Sequence, residues 1–197
     1  MGRIIAVSSL GSSKPAHTGA RSRVLRSAAL LAAAFCSGSA LASDPTPVPR
    51  VPTGDPAMAA AFAHAAAGLD GFFAQWRHPG PGVRGFSVKI GLTDAAGAPG
   101  YAIVRPAGPA TGPVEWFWTR DRRAEGTGFS AQIANDPEDL HNVSIGQTIP
   151  FTRQDIGDWM YLENGKIIGN ATACPALAHA SAEERRRMKE QYGLACD

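Results

Sequence analysis

The chain has little charge, few cysteines and no long apolar run. Only 18% of its 197 residues are charged and only 3 are Cys, which excludes a cysteine-dense disulfide scaffold and a zinc module built on four cysteines. Its apolar run Ala28-Ala29-Leu30-Leu31-Ala32-Ala33-Ala34-Phe35 is too short to cross about 30 Å of hydrocarbon, for which about 20 residues are needed. Neither G-x-S-x-G nor H-E-x-x-H occurs, so the two commonest hydrolase signatures are missing. Gly80-Pro81-Gly82-Val83-Arg84-Gly85 has the glycines of a phosphate loop but not its Lys-Ser/Thr, and reads as a connector. With 44% hydrophobic residues, 22 Gly and 15 Pro, the composition fits one modest globular domain with additional segments.

Acidic residues are absent from one region in particular. Five of the 19 basic residues and none of the 17 acidic ones fall in the first 42 positions, which leaves 14 against 17 and a net charge of −3 beyond them. A mildly acidic body has no electrostatic footprint for phosphate backbones, so nucleic acid is not an expected partner. The basic stretch ending at Arg26, the apolar run and the Ala40-Leu41-Ala42 site have the three parts of a secretory signal. Cleavage near Ala42 predicts a mature chain that is periplasmic or secreted from a bacterium, with no integral membrane segment. Lipidation at Cys36 is disfavoured, because Phe35 stands where a lipobox needs a small residue.

Export leaves Cys174 and Cys196, an even pair in a compartment where disulfides persist. Their spacing is neither C-x-x-C nor a zinc spacing, so a structural disulfide is expected. It would pin the last helix to the end of the last strand.

Four segments follow the leader. Residues 43–55 are Pro-rich and read as an extended linker. Asp55 and Pro56 supply an N-cap and a first helical residue. Phe62, Leu69, Phe73 and Trp76 recur at helical spacing over 57–76, where Gly68 and Gly71 weaken the helix. The period then changes: 86–92, 115–119, 129–134, 149–151, 158–162 and 166–168 read as strands, with a turn at 94–97 and a type I′ turn at Asn164-Gly165. Pro150 confines its strand to an edge or to a strand end. Ser181 and Glu184 form a capping-box pattern for a C-terminal helix, in which Glu183 is placed to pair with Arg187. The expected fold is α+β: a strongly bent antiparallel sheet of about five or six strands with a helix at each end, in one domain over 56–197.

Ala134-Asn135-Asp136-Pro137-Glu138, Val143-Ser144-Ile145-Gly146-Gln147 and Ile156-Gly157-Asp158-Trp159-Met160-Tyr161-Leu162-Glu163-Asn164-Gly165-Lys166 resemble the YegJ-like bacterial family, domain of unknown function 2314. Its members show a Trp-containing strand, matched by Glu115-Trp116-Phe117-Trp118, an Asn-Asp/Glu-Pro turn, and an Asp-Trp-Met-Tyr strand entering a Gly turn. The resemblance covers about 83–173, with the Cys-bracketed tail 174–197 outside it. It implies a small α+β domain and no particular reaction.

Two groups of residues are candidates for function. Asn135, Asp136, Glu138, Asp139 and His141 offer carboxylates and an imidazole that could bind a divalent cation or share acid/base work, although Asn-Asp-Pro is also ordinary turn chemistry. Trp116 with Trp118 and Trp159 with Tyr161 sit at i,i+2 on two strands, so each pair shares a face. Facing water they would form a stacking platform, and facing inward they are core. No catalytic residue, metal or cofactor is assigned. The leading expectation is a non-enzymatic envelope module that binds a protein partner, of the kind represented by inhibitors and immunity-type factors. The alternatives are an envelope hydrolase using the Asp136–His141 turn and a purely structural domain. A platform requires an exposed apolar patch, and an enzyme requires the acidic groups to converge in a pocket.

Overall fold

Asp55 caps the first helix by accepting from the Ala57 and Met58 N–H groups at 2.8 and 3.0 Å. With Pro56 in its first turn, helix α1 runs unbroken over Pro56–Arg77. The structure, a computed structural model, describes residues 54–95, 100–106, 108, 112–194 and 196. The expected leader, the linker up to 53, and residues 96–97 of the turn after Asp94 lie outside the described residues. Gly68 does not break α1. A Cβ there would press into the Trp159 ring, and Trp159 Nε1 donates to the Ala65 carbonyl at 2.8 Å. The missing side chain lets the helix sit against a strand, which offsets its weak propensity. By length and composition α1 could cross a membrane. In this fold its stripe Ala61, Ala65, Leu69, Phe72 and Phe73 is buried.

Seven strands follow: β1 (Val83–Asp94), β2 (Tyr101–Val104), β3 (Glu115–Glu125), β4 (Gly128–Ile133), β5 (Thr148–Phe151), β6 (Ile156–Glu163) and β7 (Lys166–Gly169). All described pairings are antiparallel, in the order β5-β4-β3-β1-β6-β7 with β2 paired to β1 off this path. The α+β architecture is as expected, with one strand, β2, more than the sequence suggested. The connector at 80–85 is shorter than expected, because β1 already begins at Val83. Pro150 lies in the edge strand β5, where a missing N–H costs the ladder nothing. At the β6–β7 hairpin Asn164 and Gly165 both take positive φ, 50° and 82°, as a type I′ turn requires.

Register decides which residues make the core. Val88 pairs Trp159 and Ile90 pairs Phe117, so these four share the face that buries Leu69, Phe72 and Phe73 of α1. Lys89 pairs Trp118 and Gly91 pairs Trp116 on the other face. That face is also closed: Lys89, Trp118 and Asp158 are all buried.

Two short elements end the chain, α2 (Ala173–Ala178) and α3 (Ala182–Tyr192). Ser181 Oγ accepts from the Glu184 N–H at 3.1 Å, as the cap pattern predicts. The ion pair that forms on α3 is Arg187 with Glu184, at 3.6 Å, not with Glu183. Cys174 and Cys196 are joined by a disulfide. Cys174 belongs to α2 rather than to the end of a strand, because the chain turns helical directly after Asn170, whose backbone carbonyl accepts from the Ala173 N–H at 3.0 Å.

Candidate functional site

Residues 134–147 leave the end of β4 and return to the start of β5, and they contain the acidic candidates. The Ala134 N–H donates to Trp118 O at 2.9 Å and the Gly146 N–H to Ile133 O at 2.8 Å, closing the loop at its base. Two buried apolar side chains, Leu140 and Val143, fasten its middle to the core. Two carboxylates from neighbouring strands brace its backbone. Glu115, 1% exposed, accepts from the Glu138 N–H at 3.1 Å and from the Asp139 N–H at 3.2 Å. Asp94 accepts from the His141 N–H at 3.2 Å and the Asn142 N–H at 3.1 Å. Desolvation pushes the Asp94 carboxyl up, but these backbone donors, the Asn142 side chain and the nearby His141 charge together hold it below the usual carboxylate range.

The loop is therefore braced through its backbone and by Leu140 and Val143, while part of its polar side chains stay exposed. Asp136, Glu138 and His141 are exposed. Asn135 is half-buried and accepts from the Trp118 N–H at 2.9 Å, a structural duty. Among the described residues no group of three or more His, Cys, Asp or Glu comes together as a metal site. Ile145, beside the turn, is 46% exposed, the one large hydrophobic side chain among the described residues that is so open.

The aromatic candidates divide between the two faces. Trp159 and Tyr161 stack at 6.1 Å and pack against the α1 core. Trp118 is buried on the opposite face, and Trp116 is half-buried with its ring 4.6 Å from that of Phe62. They form no joint platform, and the exposed aromatic patch that such a platform requires is missing among the described residues.

A polar network that the sequence reading missed lies beneath Trp118. Lys89 is 1% and Asp158 0% exposed. Lys89 Nζ donates to Thr172 Oγ1 at 2.6 Å, and the Thr172 hydroxyl and N–H donate to Asp158 Oδ2 at 2.6 and 2.8 Å. The Trp159 N–H donates to Asp158 Oδ1 at 2.8 Å, and the ammonium sits 4.5 Å from the Trp118 ring centroid. Burial pushes the Lys89 amine down to about 8, although the Asp158 charge opposes the fall. An amine so poised is a competent base or nucleophile. Closed to solvent, this one links β1, β6 and the segment leading into α2. The signal in the sequence was the cross-strand pairing of Lys89 with Asp158, hidden because alternation alone assigns both to a solvent face.

The description "Uncharacterized protein conserved in bacteria (DUF2314)" matches residues 55–196. The chain belongs to this family. The DUF2314 match is wider than the resemblance over 83–173, taking in α1, its Asp55 cap and both bridged cysteines. The uncharacterized protein YegJ of Escherichia coli (strain K12) is 36% identical over 78 residues, 40% of this chain and 51% of YegJ. A putative ankyrin repeat protein of Neisseria meningitidis serogroup B (strain ATCC BAA-335 / MC58), NMB1133/NMB1171, is 29% identical over 80 residues, 41% of this chain and 32% of that protein. The chain thus spans about half the length of the first relative and about a third of the second. No solved structure matches.

Proposed function

We propose that this DUF2314 protein is an exported, non-enzymatic interaction module of the bacterial envelope that presents the braced loop 134–147 to a protein partner. The observation that carries the reading is the bracing itself. Glu115 and Asp94 use their carboxylates on backbone N–H groups of the loop, which fixes its shape before any partner arrives and lowers the entropy lost on binding. Asp136, Glu138 and His141 project from this frame, and the acidic side chains suit a partner with a basic surface. The mode is that of an inhibitor or immunity-type factor, in which a preformed loop meets its target. A hydrolase needs the same groups to converge on a substrate, and here the backbone rather than a pocket engages the neighbouring carboxylates.

The test expresses the full chain with a C-terminal tag in its bacterial host, fractionates the envelope, and reads the mature N-terminus by mass. Cleavage after Ala42 and one stoichiometric partner are expected. That partner is lost with Asp136→Arg/His141→Ala and kept with the surface control Lys189→Glu. Uncleaved protein in the cytoplasm would overturn the export reading. No partner, or a partner that ignores the loop variant, would overturn the binding reading in favour of a purely structural domain.

A further inference from the structure

Arg122 occupies an unusual place in β3. The β3–β4 register slips between Arg120 and Arg123, and within the slip Asp121 takes φ 50°, a left-handed conformation uncommon outside Gly. Such a bulge re-aims the following side chain. Strict alternation from Phe117, a core-face residue, would put Arg122 on the Trp118 face. Instead its guanidinium lies over two rings of α1, 4.2 Å from the Trp76 centroid and 4.9 Å from that of Phe72. The Nε, Nη1 and Nη2 atoms are all buried and none has a hydrogen-bond partner.

A guanidinium has five N–H donors in a rigid planar fork. Cation–π contact compensates the charge in part, at the ring faces, but leaves the in-plane donors unmet. A buried cation without an acceptor is costly, and an orphaned group of this kind calls for an absent water, ion or ligand. The surroundings narrow the choice. Arg77 and Arg153 both stand over the Phe73 ring, at 6.0 and 5.5 Å, so the local field is positive. The neighbouring acids are already engaged, Asp70 with Arg153 at 2.8 Å and Asp121 with Arg120 at 4.0 Å. Phe73 in turn stacks on Phe129 at 5.1 Å, which makes the wall aromatic and unsuited to a heavily hydrated phosphate dianion.

We propose that Arg122 anchors a carboxylate-binding subsite between the C-terminal half of α1 and the β3 bulge, taking a carboxylate carried on an apolar body. The planar carboxylate meets the fork edge-on in a bidentate pair, while the body lies along the half-buried Trp76 side of α1. Because the nitrogens are closed to solvent, the ligand enters by a local opening of the side chains around them. Burial holds the Arg122 guanidinium down to about 10, and a bound carboxylate would raise it again. The subsite does not depend on the partner reading of loop 134–147.

The probe is phenylacetate, titrated into the full chain purified from the secreting host with its disulfide formed, with the Arg122 Nε–H resonance and calorimetry as readouts. Phenylacetate is expected to shift and sharpen that resonance. The neutral isostere phenylacetamide and Arg122→Lys each weaken binding by about tenfold or more, as losing a charge-assisted bidentate contact does. Arg122→Met, checked for a dispersed amide spectrum, abolishes it. No shift up to the solubility limit, equal binding of the amide, or retention in the Lys variant would overturn the proposal. Inorganic phosphate binding as tightly as phenylacetate would overturn the carboxylate assignment.

Discussion

Raising the pH from 8 to 10 should make this protein more stable, and the reason is Lys89. Burial holds its amine at about 8 against an ordinary 10.5, so between those values the unfolded chain binds a proton that the folded chain has released. Stability rises with pH wherever the unfolded state holds more protons. The contribution is fully present above 10.5 and is lost as pH falls through about 8. At about 1.4 kcal/mol per factor of ten in proton affinity, the whole window amounts to roughly 3 kcal/mol. Its upper end is contaminated from both sides: the Tyr101 and Tyr161 phenols are pushed above their ordinary 10.0, chiefly by burial, and their contribution is lost above that value, while the Arg122 guanidinium, held down to about 10 by burial, begins there to add a rise of its own. Between pH 8 and 10 the Lys89 effect stands almost alone, as a rise of about 2 kcal/mol. Urea midpoints at half-unit pH steps with a constant m-value measure it. Lys89→Met, which fills a similar volume without a charge, should abolish the rise. A flat or falling midpoint in the native chain, or the same slope in the Met variant, would refute the argument.

Gly157→Ala places a Cβ against the Trp116 ring, and overpacking of this kind costs about 1–3 kcal/mol; a lowered thermal midpoint with an altered near-ultraviolet Trp band is expected, and neither changing would mean Trp116 is not seated there. Reducing the Cys174–Cys196 bridge, which closes a separation of 22 residues, should cost about 3 kcal/mol in the chain-entropy model. Urea melts with and without reductant measure the loss, and coincident midpoints would show that the link constrains nothing.

Local chemistry was legible where it is self-contained. Asp55-Pro56, Pro150, Asn164-Gly165 and Ser181-x-x-Glu184 each carry their own backbone logic, and all four appear where their residues put them. What stayed hidden depends on partners distant in the chain. Alternation in β1 predicts one wet face, but the Asn170–Thr172 segment covers Lys89 on the second, so Lys89 ends in the interior beside Thr172, 83 residues away. Glu115 heads an aromatic strand and looks like a solvent residue. Its burial follows from loop N–H groups 23 and 24 positions later. Strand β2 has four residues, too few for periodicity to register, and the outer half of β3 is a run of charges, exposed apart from Arg122, that pairs only because β4 folds back on it. Arg122 needed a register slip, which no spacing rule reports. Of the candidate site, the loop could be read from its turn residues, whereas its two braces could not.

Helix α3 buries none of its own residues. It is held by Leu194 beyond its end, by Lys166 Nζ donating to the Glu190 carbonyl at 2.9 Å, and by the bridge to α2. An element so attached melts by itself. Its amides should exchange with solvent through local opening, at free energies far below that of the core strands, and the bridge then limits how far the frayed helix travels rather than whether it frays. Helix α3 thus behaves as a short leash on a rigid body: sequence change on its exposed faces is cheap, and a protease that nicks it leaves both cut ends attached through the bridge.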